Sequence, residues 1–291
     1  MLVVLCFIWG TTWPLMKVAL NEIPPFSMRT SSAALGALTL YLVCLAKGSS
    51  LRIPTAKAWA HVVIASLLNV VGFSLFSAFA QLSAATSRVT ILAYTIPIWA
   101  VLLAWPILGE RPNRMQAVAL GLCAAGIGIL IYPLTAKGIP LGILLALATG
   151  MSWAAGTVYL KWARIEADPM GVASWQTTIA FFVIGACMLI FEGRLELGAA
   201  HASALFATGF TGIFGNGIAY GLWFSIVRRL PAATASLGVL CVPVIGIVAS
   251  MIILGEVPTA ADIFGFALIF AASACVLFSR PAPVEVASQV T

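Results

Sequence analysis

The stretch Pro97-x10-Leu108-Gly109-Glu110-Arg111-Pro112 returns as Pro243-x10-Leu254-Gly255-Glu256-Val257-Pro258, shifted by 146 positions and with the same internal spacing. Two further blocks echo in the same order: Trp9, Lys17 and Pro25 as Trp153, Lys161 and Pro169, and Leu82, Ala84, Ala85 and Thr86 as Leu230, Ala232, Ala233 and Thr234. Their shifts of 144 and 148 bracket the first. A half-molecule has been written twice in tandem, so whatever one half folds into, the other must fold into as well.

What lies between the echoes is apolar. Hydrophobic residues make up 62% of the 291 and charged residues 8%, against about 25% charged in a soluble domain; the chain is therefore read as a membrane protein. The apolar runs approach the roughly 20 residues that a helix needs to cross a bilayer, and they do not alternate as barrel strands would. The first run begins at Met1 but holds Trp9, Trp13 and Pro14 and lacks a small-residue cleavage pattern, so it is expected to be a retained span, not a signal peptide. The six cysteines all fall inside apolar runs without CxxC spacing and read as small hydrophobes, not metal ligands. No metal or cofactor is implied, and the net charge of +6 belongs to span ends, not to a nucleic-acid surface.

Turn formers divide the chain into spans near 1–20, 26–46, 58–80, 84–108 and 115–132, then 139–160, 171–191, 203–227, 231–254 and 260–279. The halves run over 1–133 and 139–280. Five spans per half is an odd number, so the second copy enters from the opposite face, and the expected fold is all-α: ten transmembrane helices as two inverted five-helix repeats around a central cavity. Placing the N-terminus in the cytoplasm puts Lys47, Arg52, Lys57, Arg111, Arg114, Lys161, Arg164, Arg228, Arg229 and Arg280 inside. It leaves Lys17, Arg29, Arg88, Lys137 and Arg194 outside. This excess of inside cations favours both termini in the cytoplasm of a bacterial-type inner membrane.

Two five-span halves, each opening on a tryptophan-containing small-residue span and each carrying the proline, Leu-Gly-Glu, proline signature, resemble the ten-span EamA-type branch of the drug/metabolite transporter superfamily. The resemblance implies a cavity lined by spans 1, 3, 4, 6, 8 and 9 and an exporter of amino acids or other metabolites.

The nine carboxylates and the two histidines all fall at span ends, in loops or in tails. A buried proton relay is thereby disfavoured, and so is an intramembrane enzyme, which needs a nucleophile–base or metal-ligand constellation. The polar and aromatic residues within spans are the candidates for binding. Asn69, Phe73 and Phe76 share one face of span 3, and Asn216, Tyr220 and Trp223 share one face of span 8. Thr90 and Tyr94 precede Pro97 on span 4; Trp9, Thr12 and Trp13 on span 1 answer Trp153, Gly156 and Thr157 on span 6. Either amide could instead serve as a helix-to-helix hydrogen bond, and Trp59, Trp99, Trp105 and Trp162 fit the membrane interface.

Pro97 and Pro243 are candidate paired hinges. Lys161 with Glu110, and Lys17 with Glu256, are candidate latches at opposite faces; alternatively each glutamate favours the N-terminus of the following helix. A cavity with aromatic walls, amides, hydroxyls and no fixed charge would suit a neutral or aromatic amino acid. The sequence reading is thus a facilitative exporter working by alternating access, with a small-molecule substrate, membrane lipids around it and no oligomer called for. Two alternatives stand beside it: a carrier of phosphorylated or nucleotide-linked metabolites, and a non-transporting membrane receptor or assembly factor.

Overall fold

The computed structural model describes residues 1–133, 140–198, 200–227 and 241–278, with the backbone alone over 224–227. Lys137, Arg228, Arg229, Leu230, Ala232, Ala233, Thr234, Arg280 and Glu285, with the expected start of span 9, lie outside the described residues. Every regular element among the described residues is a helix. The helices are α1 (Leu2–Leu20), α2 (Pro25–Lys47), α3 (Ala56–Ser83), α4 (Thr86–Leu108), α5 (Arg114–Ile131), α6 (Leu141–Ala163) and α7 (Pro169–Phe191). They continue with α8, which runs through Ala202–Phe210, Thr211–Ile218 and Ala219–Val227, then α9 (Cys241–Leu254) and α10 (Ala260–Phe278). All except α8 and α9 make up eight helices long and apolar enough to cross a membrane.

Their boundaries follow from local chemistry. Pro25 opens α2 at a position where a missing N–H costs nothing, Asn113 and Gln116 cap α5 reciprocally, and Asp168 caps α7 ahead of Pro169. The repeated Leu-Gly-Glu is a helix stop. Gly109 and Gly255 take left-handed φ of 74° and 67°, and the following N–H groups bond back six residues, Glu110 to Ala104 O and Glu256 to Ser250 O. This closure needs glycine at the left-handed position and aims the next residue, the glutamate, away from its own helix.

Helix neighbours come in matched sets. α1 packs on α8 and α9 while α6 packs on α3 and α4; α2 packs on α7 and α8 while α7 packs on α2 and α3. α5 pairs with α10, and α4 touches α9. Exchanging α1–α5 with α6–α10 leaves these neighbours unchanged. The closest approaches use small residues, as membrane helices do where apolar lipid gives them no hydrophobic drive to associate: a Cβ on Gly126 of α5 would meet Gly265 O of α10 at 2.9 Å. Side chains such as Leu45, Phe182, Ile190 and Ile252 remain exposed on the outer surface, where a hydrocarbon solvent would cover them.

Polar ties join helix ends across the halves. At one end, called here the Lys17 end, the Glu22 carboxylate accepts from the His201 main-chain N–H at 2.7 Å and lies 2.9 Å from its ring Nδ1. The Glu192 carboxylate accepts from the N–H groups of Phe26 and Ser27 at 2.8 and 2.7 Å, and Glu256 accepts from those of Thr86 and Ser87 at 2.6 and 2.8 Å. Arg88 pairs with Asp262 at 2.7 Å. At the other end, Lys161 pairs with Glu110 at 2.6 Å, His61 Nδ1 lies 2.7 Å from Tyr159 Oη, and Lys47 Nζ donates to Gly221 O at 3.1 Å. Of the cysteines expected to be buried hydrophobes, Cys6, Cys44 and Cys123 are buried, whereas Cys187 and Cys275 are half-buried and Cys241 is exposed.

Candidate functional site

A cavity of about 550 Å³ lies between the halves. Its lining runs from Met16 and Arg29 near the Lys17 end, past Trp13 and Trp153, to Ile165, Ala167 and Leu277 at the Lys161 end. Seven rings follow its wall in an unbroken chain. Tyr94 lies 6.3 Å from Trp13, Trp13 6.1 Å from Phe73, and Phe73 5.1 Å from Trp153, all edge-to-face. Trp153 lies 6.0 Å from Tyr220, Tyr220 6.2 Å from Trp9, and Trp9 6.0 Å from Trp223. Centroid separations in this range and inclined planes are favourable for aromatic quadrupoles, so the rings form a fixed apolar wall.

Two helices facing the cavity are widened. Leu67–Gly72 in α3 and Thr211–Ile218 in α8 are π-helical, and such turns leave carbonyls free for other partners. The first helix of the opposite half supplies those partners: Ser152 Oγ of α6 donates to Leu68 O at 2.5 Å, and Trp9 Nε1 of α1 donates to Gly215 O at 3.2 Å. Gly156 lets Asn69 approach, since a Cβ there would meet Asn69 Oδ1. Asn69 Oδ1 is buried without a partner among the described residues, and Asn69 and Asn216 both line the cavity.

Ten of the twelve expected binding residues line the cavity: Trp9, Trp13, Asn69, Phe73, Tyr94, Trp153, Thr157, Asn216, Tyr220 and Trp223. Phe76 does not. It faces a separate groove with Leu75, Phe79, Leu141 and Leu145. Thr90 does not either: it is fully buried, donates to Thr86 O at 2.8 Å, and its methyl packs where α4 meets Gly246 of α9. The helix set implied by resemblance also shifts, because α7 contributes Val172, Ala173, Gln176 and Thr177 and α2 contributes Arg29, whereas no described residue of α9 lines the cavity.

The expectation of a cavity without fixed charge fails at Arg29. This side chain is 5% exposed and reaches the lining from α2. One terminal nitrogen contacts Met16 Sδ and donates to Ser77 Oγ at 2.6 Å, while its Nε has no partner among the described residues. The signal was present in the sequence: Pro24-Pro25 fixes where α2 starts, and Arg29 falls one turn inside.

Pro97 lines the cavity where α4 breaks into Thr86–Ala93 and Ile96–Leu108. Proline cannot bond to the fourth carbonyl behind it, and the Ala93 carbonyl so freed lies against Gly150 of α6. Pro243 is buried in α9. Lys161 and Glu110 meet as expected. Lys17 and Glu256 do not: Lys17 Nζ donates to Gln81 O at 2.6 Å, and Glu256 caps α4. Nor does Glu256 serve its following helix, because its carboxylate turns to the start of α4 in the other half, where two N–H groups and the helix dipole converge.

An all-helical membrane protein with an aromatic cavity between two matched sets of helices is the class that fold and site define. The EamA-like transporter family matches over residues 1–132 and 140–278, so the chain belongs to that family and is a membrane transporter. The uncharacterized transporter YvbV of Bacillus subtilis is 28% identical over 92% of this chain and 88% of its own. A Salmonella typhimurium protein named probable amino-acid metabolite efflux pump is 25% identical over 57% of this chain and 58% of its own. One solved crystal structure, 23% identical, covers 94% of this chain and 95% of its own with a TM-score of 0.66, a likeness of fold alone.

Proposed function

We propose that this protein exports small metabolites, neutral and aromatic amino acids first among them, through the inner membrane by alternating access. The observation that carries this reading is the seven-ring wall around a cavity of about 550 Å³, the size and lining of a small-molecule site. Rings bury an apolar side chain; Asn69, Gln176, Thr177 and Asn216 offer polar contacts to the rest of the solute. The name of the Salmonella typhimurium relative points the same way.

The reading includes ten crossings in two inverted halves with both termini in the cytoplasm. Support comes from the matched neighbours and from the tied ends: Glu22 follows α1 yet bonds at the start of α8, and Glu192 follows α7 yet caps the start of α2. Inverted halves give two related conformations by exchanging roles. The Lys161–Glu110 pair serves as a latch at its end, and Pro97 and Pro243 as the places where each half bends. No described carboxylate lines the cavity, which favours facilitated movement down the solute's own gradient over proton exchange.

The test is efflux of labelled phenylalanine and tryptophan from liposomes containing the purified protein. Release that is saturable and equal with and without a pH gradient is expected. Retention of every amino acid tried contradicts the substrate; release only with a gradient contradicts the facilitative mechanism.

A further inference from the structure

Arg29 carries a full charge into an apolar site where no described carboxylate meets it. Among the described residues the ion pairs are Arg88–Asp262, Lys161–Glu110, Arg194–Glu196 and His201–Glu22, none of which includes it. Glu192, the carboxylate that reaches the start of α2, is spent on the main-chain N–H groups of Phe26 and Ser27. Met16 and Ser77 occupy one terminal nitrogen, and a thioether and a hydroxyl are weak company for a guanidinium. Burying a charge is costly unless it is paired and hydrogen-bonded, so this site is short of one acceptor.

Its two partners fix where the guanidinium stands along the helices. Met16 lies one turn beyond Trp13 on α1, and Ser77 one turn beyond Phe73 on α3, toward the Lys17 end. A helical turn advances about 5.4 Å, so the guanidinium stands about that far past the Trp13–Phe73 ring pair, at the deep end of the cavity. A solute with its apolar body among the rings would present its polar head to Arg29.

We propose that Arg29 is the anchor for a carboxylate on the transported solute, making the permeating species an apolar or aromatic carboxylic acid anion, amino acids included. This rests on the transport reading above but narrows it: the carboxylate is required and the ammonium is not. Charge-assisted bonds from guanidinium to carboxylate are strong and directional, and the solute's own charge supplies the partner that no described side chain gives Arg29. An isolated guanidinium, with no second cation among the described lining residues, fits one carboxylate better than a phosphate ester. Gln81, one turn past Ser77 on α3, has its Oε1 buried without a partner among the described residues, while its amide donates to Trp13 O at 3.2 Å and holds Trp13 in place.

The test is a ligand series on the unmodified purified protein, read by quenching of intrinsic tryptophan fluorescence in nanodiscs. Phenylalanine and 3-phenylpropionate should bind with affinities within about tenfold of each other, while phenylalaninamide and phenethylamine should bind at least tenfold more weakly. Chloride and inorganic phosphate should neither quench nor compete at the same concentrations. Arg29→Gln should lose the discrimination between acid and amide, and Arg29→Lys should keep part of it. Equal binding of the amide and the acid, or displacement of the acid by chloride alone, overturns the proposal even if either variant fails to fold. The two readings fail separately: liposomes that release phenylalanine while acid and amide bind alike remove the anchor alone. Discrimination by the carboxylate without release of any amino acid removes amino-acid transport and keeps the anchor.

Discussion

The two ends of the molecule are tied by different chemistry. At the Lys17 end, Glu192 and Glu256 each cap a helix start in the opposite half through two main-chain N–H groups, and Arg88 and Asp262 pair with side chains only 19% and 6% exposed. At the Lys161 end, where the cavity lining emerges, the ion pair between halves among the described residues has side chains 64% and 49% exposed. Buried charge pairs cannot lose one partner cheaply, whereas exposed ones contribute little. The contrast gives the molecule one end closed by buried ties and one whose described ion pair is exposed.

This difference predicts unequal effects of substitution. Asp262→Ala leaves the half-buried Arg88 without its partner and removes the acceptor for the Thr259 N–H and hydroxyl. A loss of about 3 kcal/mol is expected in unfolding from mixed micelles. Glu256→Ala uncaps α4 and should cost about 2 kcal/mol, the scale of hydrogen bonds to a charged group. It should also raise labelling of a cysteine placed at Ser77 by an impermeant maleimide added from the Lys17 side. Lys161→Ala should change stability by only about 0.5 kcal/mol; a loss as large as that of Asp262→Ala would erase the contrast. The smallest effect concerns pH. Bonds from the His201 main chain and then its ring hold the Glu22 carboxyl below its ordinary range, so the tie contributes above the ordinary glutamate value and is lost as pH falls through the lowered one. Glu22→Gln should flatten the acid limb of a thermal-stability profile.

The one-sided cavity also explains which site residues could be read from the sequence. The repeat pairs Phe76 with Trp223, each three residues past a cavity ring. On α3 that step runs toward Gln81 and the sealed end, while on α8 it runs toward Gly221 and the open one. Trp223 therefore lines the cavity and Phe76 does not. A repeat alignment sees equivalence, and one conformation breaks it. The rings and both asparagines were legible because echo and helical spacing agreed on them. Arg29 was counted among the outer cations and left out of a cavity expected to hold no fixed charge; only packing against Met16 and Ser77 turns it inward. The glutamates of the Leu-Gly-Glu stops were legible as helix ends but not as caps on the other half, since partners that far apart in sequence are set by tertiary approach.

Single cysteines at Asn21, which follows α1, and at Glu166, which follows α6, in a cysteine-free background provide the most direct test of the inverted arrangement beneath all of this. Both positions are exposed. Impermeant maleimide applied to sealed vesicles of known sidedness should label the two from opposite faces. Labelling of both from the same face would contradict inverted halves, and the sealed and open ends could then no longer exchange.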